Sequence, residues 1–100
     1  MKYLANPVVV NAYQIVEVGE RLAHPKQGYD VATERSIFIP AGSLYLRLEE
    51  NKSIWATPEQ LSRINPAIGD YVVVQEDGYT YLNPRDVFQR KYSPLPETIQ

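Results

Sequence analysis

The sequence contains no cysteine and a single histidine, His24. The missing thiols exclude a disulfide framework, a thiolate zinc site and a cysteine nucleophile. One histidine without cysteine does not complete a zinc ligand set. The five glycines are scattered singly, so the chain also has no Gly-rich loop for cradling phosphates. We therefore expect neither a metal site nor a bound cofactor.

Long apolar runs and a broad positive surface are missing as well. The longest apolar runs, such as Tyr71 to Val74, fall far short of the ~20 residues that a bilayer span needs. The N-terminal segment has no long apolar region followed by an A-x-A cleavage pattern. Net charge is −2 with acidic and basic residues interleaved, which disfavours binding of duplex nucleic acid. We expect a cytoplasmic protein that binds neither a membrane nor duplex DNA.

What is present indicates one small folded domain. The chain has 100 residues, of which 44% are hydrophobic and 22% charged, as in ordinary globular proteins. We assign residues 1–93 to a single domain with one core. Residues 94–100 carry two prolines and little to bury, which predicts a loosely held tail.

The first half of the chain predicts strands separated by a long loop. Residues 7–16 are rich in β-branched and aromatic types, which predicts a first strand. Residues 17–35 are polar, contain Gly and Pro and show no sustained period, which predicts a loop. Loops of this length are often functional in compact domains. A loop that is merely mobile is the alternative.

The middle of the chain predicts a hairpin and a short helix. The run "SIFIP" and the alternating run "LYLRLEE" flank a turn at "AGS", which predicts an antiparallel pair with the leucines buried. Thr57, Pro58 and Gln60 have the spacing of an N-cap, a first helical residue and a capping-box partner. Leu61 and Ile64 are then expected on the buried face of that helix.

The segment "IGDYVVVQEDGYTYLNPRDVFQRKY" predicts a second hairpin and a second helix. Asp77 and Gly78 suit the two central positions of a type I′ turn, which would place Val74 opposite Tyr81. Asn83 is expected to cap a helix that bears Val87, Phe88 and Tyr92 on its apolar stripe. Together these elements predict an α+β fold with an antiparallel sheet of about five strands and two short helices.

Three segments carry a resemblance to a known family. The opening "MKYLANPVVVNAYQ", the central "GDYVVVQEDG" and the closing "YLNPRDVFQRKY" resemble small bacteriophage and prophage proteins with a P-G-D-Y motif. Ile68 stands where that family usually has proline. The family is largely uncharacterised, so the resemblance implies a phage-encoded accessory protein and carries over no catalytic residue.

Catalysis is not favoured by any constellation in the sequence. Asp70, Asp77 and Asp86 are the carboxylates nearest to element boundaries, and each has a structural explanation in a turn or at a helix N-terminus. No serine lies in a G-x-S-x-G elbow. We therefore expect a protein that is not an enzyme.

Binding is the remaining class of function, and three hypotheses stay open. Eight tyrosines in so short a chain favour a module that docks on a host or phage protein through exposed rings and arginines. A protein that binds a small molecule, such as a nucleotide defence signal, is the first alternative. Self-association through an exposed edge strand at residues 44–50 is the second. The candidate partner- or ligand-binding residues are Trp55, Arg63, Tyr79, Tyr81, Arg85 and His24.

Overall fold

A computed structural model describes residues 2–5, 8–32, 34–91 and 93–94. Nine strands lie in this part of the chain: β1 (Lys2–Ala5), β2 (Val8–Arg21), β3 (Lys26–Asp30), β4 (Arg35–Ile39), β5 (Leu44–Leu48), β6 (Ser53–Ala56), β7 (Tyr71–Val74), β8 (Thr80–Asn83) and β9 (Ser93–Pro94). The two α-helices are α1 (Pro58–Leu61) and α2 (Arg85–Lys91). The predicted α+β class is confirmed in its broad form, since the fold is mostly antiparallel sheet with two short helices.

The long strand β2 organises a seven-stranded antiparallel sheet. It pairs with β1 and β7 along its first half and with β5 along its second half. Two register shifts, one between Ile15 and Glu17 and one between Val18 and Arg21, interrupt the pairing with β5. Irregularities of this kind bend a strand and increase its twist. The strands β6, β8 and β9 extend the sheet beyond β5, β7 and β1, respectively.

The strand β7 is buried on both faces, which decides a question that its sequence leaves open. Val72 and Val74 belong to one cluster of buried residues, while Tyr71 and Val73 belong to another. Tyr71 stacks on Phe88 of α2, with ring centroids 3.9 Å apart. The first cluster comprises Tyr13, Ile15, Leu44, Leu46, Leu48, Ile54, Ala56, Val72 and Val74, and the second Val10, Ala12, Tyr71, Val73 and Phe88. The continuous apolar run of β7 therefore reflects two-sided burial.

The prediction of a long loop at residues 17–35 is wrong. The strand β2 continues to Arg21, and Lys26–Asp30 forms β3, which pairs with β4 as a separate two-stranded sheet. The side chain of Ile39, which is fully buried, lies over the bare backbone of Gly28. The sequence pattern did not indicate β3, because its residues are mostly polar and all except Asp30 are at least partly exposed. Among the described residues of this segment, the connection around His24 and the turn between β3 and β4 are not in strands.

The predicted pairing of "SIFIP" with "LYLRLEE" is also wrong. The first run is β4, whose partner is β3, whereas the second is β5, which lies between β2 and β6. The alternation itself is confirmed, because all three leucines of β5 are buried and Arg47 is exposed. Since β5 has neighbours on both sides, it is not the exposed edge that the self-association hypothesis requires.

The hairpin at residues 71–83 is confirmed, but its register differs by one residue from the prediction. Val74 lies opposite Thr80, and Gln75 donates its N–H to the carbonyl of Tyr79 over 2.9 Å. The loop therefore has three residues, and only Gly78 among them has a positive φ, of 90°. Gly78 alone occupies the left-handed position that a type I turn followed by a bulge requires.

Both predicted helices are present and short. Thr57 and Gln60 form the reciprocal capping box, and Leu61 packs against the first buried cluster. The second helix begins at Arg85, so Asn83 is not its cap; the side chain of Asn83 is buried and its Nδ2 has no partner among the described residues. No helix in the described residues is long and apolar enough to cross a membrane. Tyr92 and, apart from Pro94, the predicted tail lie outside the described residues.

Candidate functional site

The helix α1 and the strand β8 enclose a hollow that collects three of the candidate residues. Its volume is about 290 Å³, and its lining residues are Gln60, Arg63, Ile64, Tyr79, Tyr81 and Leu82. The capping box begins α1 directly after β6, and Arg63 and Ile64, which follow the helix, line the hollow together with residues of β8. We call this concavity the α1–β8 hollow.

Aromatic rings and one cation dominate the chemistry of the α1–β8 hollow. The rings of Tyr79 and Tyr81 are tilted by 38° with centroids 5.9 Å apart, and Tyr79 is 58% exposed. Arg63 is the only charged side chain among the described residues of the lining. Gln60 closes one side by donating from Nε2 to the carbonyl oxygen of Thr80 over 3.0 Å. The hollow therefore offers apolar contact area, two phenol groups and a guanidinium group, and none of its described lining residues is a carboxylate or a histidine.

Trp55 lies in a different cluster, on the outward face of β5 and β6. Its ring is 5.3 Å from the ring of Tyr45, its cross-strand partner, and Lys26 places its Nζ 4.9 Å from the Trp55 centroid. This cation–π contact joins the β3–β4 hairpin to β6. The ring is only partly exposed, and its neighbours account for it structurally.

Arg85 lines a second hollow of about 270 Å³, together with Ile68, Asp70 and Asp86 among others. Asp70 accepts hydrogen bonds from the backbone N–H of Ala67 and of Arg85, both over 3.0 Å, so it joins the preceding turn to the start of α2. Asp86 lies in the first turn of α2, where a negative charge is favoured. The structural roles expected for Asp70 and Asp86 are thus confirmed.

Asp77 has a structural role that differs from the expected one. It does not adopt a positive φ; its carboxylate accepts from the N–H of Tyr79 over 2.9 Å. Its carbonyl oxygen accepts from Arg35 over 3.3 Å, which ties the β7–β8 turn to the β3–β4 hairpin.

His24 is exposed in the connection between β2 and β3 and lines neither hollow. Over the described ranges, no group of three or more histidine, aspartate or glutamate side chains could hold a metal ion. The structure therefore brings Arg63, Tyr79 and Tyr81 together and leaves Trp55, Arg85 and His24 elsewhere.

The sequence pattern missed two exposed rings. Tyr29 and Phe38 are 54% and 60% exposed and lie on the outward face of the β3–β4 hairpin. Gly28 and Ile37 pair on the opposite face, so Tyr29 and Phe38, each adjacent in sequence to one of them, lie together on the outward face. Only recognition of the β3–β4 pairing could have revealed it.

Electrostatics single out one buried tyrosine in the first cluster. Burial raises the pKa of Tyr13, and the nearby negative charges of Glu50 and Glu34 add to that rise. Glu34, Glu50 and Asn51 have positive φ values near 60° in the turns that place these carboxylates. Tyr13 belongs to the core and does not line the α1–β8 hollow.

No protein-family model matches this sequence, and comparisons with curated proteins and with solved structures gave no significant match. The resemblance to the phage family with a P-G-D-Y motif therefore stays a prediction.

Proposed function

We propose that this protein is a non-enzymatic module that binds a host or phage protein through the α1–β8 hollow. The convergence of Tyr79, Tyr81 and Arg63 on one concavity carries this proposal. Tyrosine and arginine are the residue types enriched at the centres of protein interfaces. The resemblance of the opening, central and closing segments supports a phage-encoded accessory protein that acts in the bacterial cytoplasm.

Binding of a small molecule, such as a nucleotide signal, is the second candidate function. The hollow's volume of about 290 Å³ falls just short of the roughly 300 to 1,000 Å³ of small-molecule pockets, so its converging rings, and not its size, support this candidate. Tyrosine rings could stack on a base. A single arginine in the lining gives little compensation for several phosphate charges, which favours the protein partner.

Affinity capture with matched variants tests the proposal. The tagged protein is incubated with infected and uninfected bacterial lysate, and captured proteins and released small molecules are both identified by mass spectrometry. Tyr79→Ser removes an exposed ring of the hollow, while Tyr29→Ser removes a similarly exposed ring elsewhere. We expect one near-stoichiometric protein with wild type and Tyr29→Ser, and its loss with Tyr79→Ser.

Two results would contradict the protein-binding function. A released nucleotide without a protein partner, lost on Tyr79→Ser, would assign the hollow to a small molecule. A captured protein that is unaffected by Tyr79→Ser and lost on Tyr29→Ser would move the interface to the β3–β4 hairpin.

A further inference from the structure

We propose that the outer edge of β8 accepts an extended segment of the partner protein as an added strand, with an acidic side chain of that segment on Arg63. This inference rests on the proposed function and specifies how the partner is bound. The incoming segment would form hydrogen bonds with the backbone of β8 and place its side chains in the α1–β8 hollow.

The backbone of β8 has hydrogen-bonding groups directed away from the sheet. The bond from Gln75 N–H to the carbonyl of Tyr79 shows that residue 79 faces β7. Because these directions alternate along an antiparallel strand, Thr80 and Leu82 direct their N–H and C=O groups outward. The carbonyl of Thr80 accepts from Gln60, whereas the N–H of Thr80 and both groups of Leu82 have no partner among the described residues.

The hollow lies at the edge of β8 and not on one face of the sheet. Tyr81 and Leu82 are consecutive in the strand, so their side chains point to opposite faces. Both nevertheless line the α1–β8 hollow. A residue placed opposite Leu82 would therefore exchange two hydrogen bonds with it and have its neighbours within reach of the hollow.

The four residues of β8 include no charged side chain, proline or bulge. Edge strands are commonly protected by charged side chains, proline or bulges. The strand reads Thr-Tyr-Leu-Asn, and its pairing with β7 is regular. By contrast, the carbonyl of Ser53 in β6 already accepts from the N–H of Ala32 over 3.1 Å.

Charge complementarity favours an acidic side chain in the incoming segment. Arg63 is the only charged residue that the described part of the chain contributes to the lining, and its ion pair with Glu59 spans 3.9 Å with both side chains at least 75% exposed. An ion pair of this geometry contributes little to stability. The guanidinium of Arg63 is therefore available to a carboxylate, which it can bind in a bidentate manner.

Strand addition is tested by selection from a display library of random heptapeptides, each joined to the display protein at both ends. Wild type should enrich peptides with Asp or Glu at one position and without proline at the centre. Arg63→Glu should enrich Lys or Arg at that position instead, whereas Arg85→Glu, an exchange of another exposed arginine, should leave the selection unchanged.

The backbone contribution is measured with one enriched peptide. Methylating its amide nitrogens one at a time should weaken binding about tenfold only at the position that pairs with Leu82, the equivalent of one hydrogen bond of about 1.4 kcal/mol. Thr80→Pro is a second test of the backbone contribution to peptide binding, because it removes an outward N–H without removing a hydrogen bond to β7. Fluorescence anisotropy gives the dissociation constants, and circular dichroism checks the fold of the variant.

Three outcomes would overturn strand addition. The first is that wild type enriches no peptide over an Arg63→Glu, Tyr79→Ser double variant. The second is that no single N-methylation weakens peptide binding. The third is that no peptide binds and light scattering shows a dimer that Thr80→Pro dissociates. If peptides fail but Tyr79→Ser still abolishes lysate capture, strand addition is wrong and the protein-binding function stands. If capture is also insensitive to Tyr79→Ser, the proposed function fails as well.

Discussion

Asp70 joins two segments that are distant along the chain, so its substitution gives a sharp prediction. Its two carboxylate oxygens accept separately from the N–H of Ala67 and of Arg85. We expect Asp70→Ala to release the start of α2 and, with it, to loosen the stacking of Phe88 on Tyr71.

The magnitude follows from the two lost hydrogen bonds. Loss of a helix cap costs about 0.5–2 kcal/mol, and a hydrogen bond to a charged group contributes about 1.5–3 kcal/mol. Both Ala67 and Arg85 are exposed, so water can replace the carboxylate and the lower values apply. We therefore expect Asp70→Ala to lower the free energy of unfolding by about 2 kcal/mol, which corresponds to roughly 8–16 °C in melting temperature.

Urea unfolding followed by far-UV circular dichroism measures this loss, and near-UV circular dichroism reports on the stacked rings. Asp70→Asn keeps one acceptor oxygen and should lose about half as much. Asp86→Ala removes a carboxylate that forms an exposed 3.9 Å ion pair with Arg85, and it should cost less than about 0.5 kcal/mol. Equal losses for Asp70→Ala and Asp86→Ala would refute the role assigned to Asp70.

Two further predictions concern the core. A Cβ on Gly28 would overlap Cδ1 of Ile39, so Gly28→Ala should lower the free energy of unfolding by about 1–3 kcal/mol in the wild type. The loss should be smaller in an Ile39→Val background, which lacks that methyl group, and additive losses in urea unfolding would contradict this explanation. Burial, Glu50 and Glu34 raise the pKa of Tyr13 above 10.0, so its stabilising effect is complete below pH 10 and is lost as the pH rises through the higher folded-state value. The free energy of unfolding of Tyr13→Phe should therefore fall less than that of wild type above pH 10. Parallel curves of unfolding free energy against pH would show that Tyr13 does not cause the loss.

Local patterns identified several elements because their physical causes span only a few residues. The capping box joins Thr57 to Gln60, and the leucines of β5 alternate with exposed or partly exposed residues. The turn at Gly78 follows from its freedom to adopt a positive φ. The sequence also brought forward Arg63, Tyr79 and Tyr81 as binding residues, although it could not indicate that they meet.

Tertiary structure alone decided which strands pair and which groups cap the helices. Polar residues form β3 because its partner β4 and the edge of β6 lie beside it. Asp70, not Asn83, binds the first amide of α2, since the fold brings residues 70 and 85 together. The α1–β8 hollow likewise depends on a contact between Gln60 and Thr80. Amino-acid sequence determined the local turns, caps and alternation, whereas pairing, register and the site arose from packing between segments far apart in the chain, which local propensity does not encode.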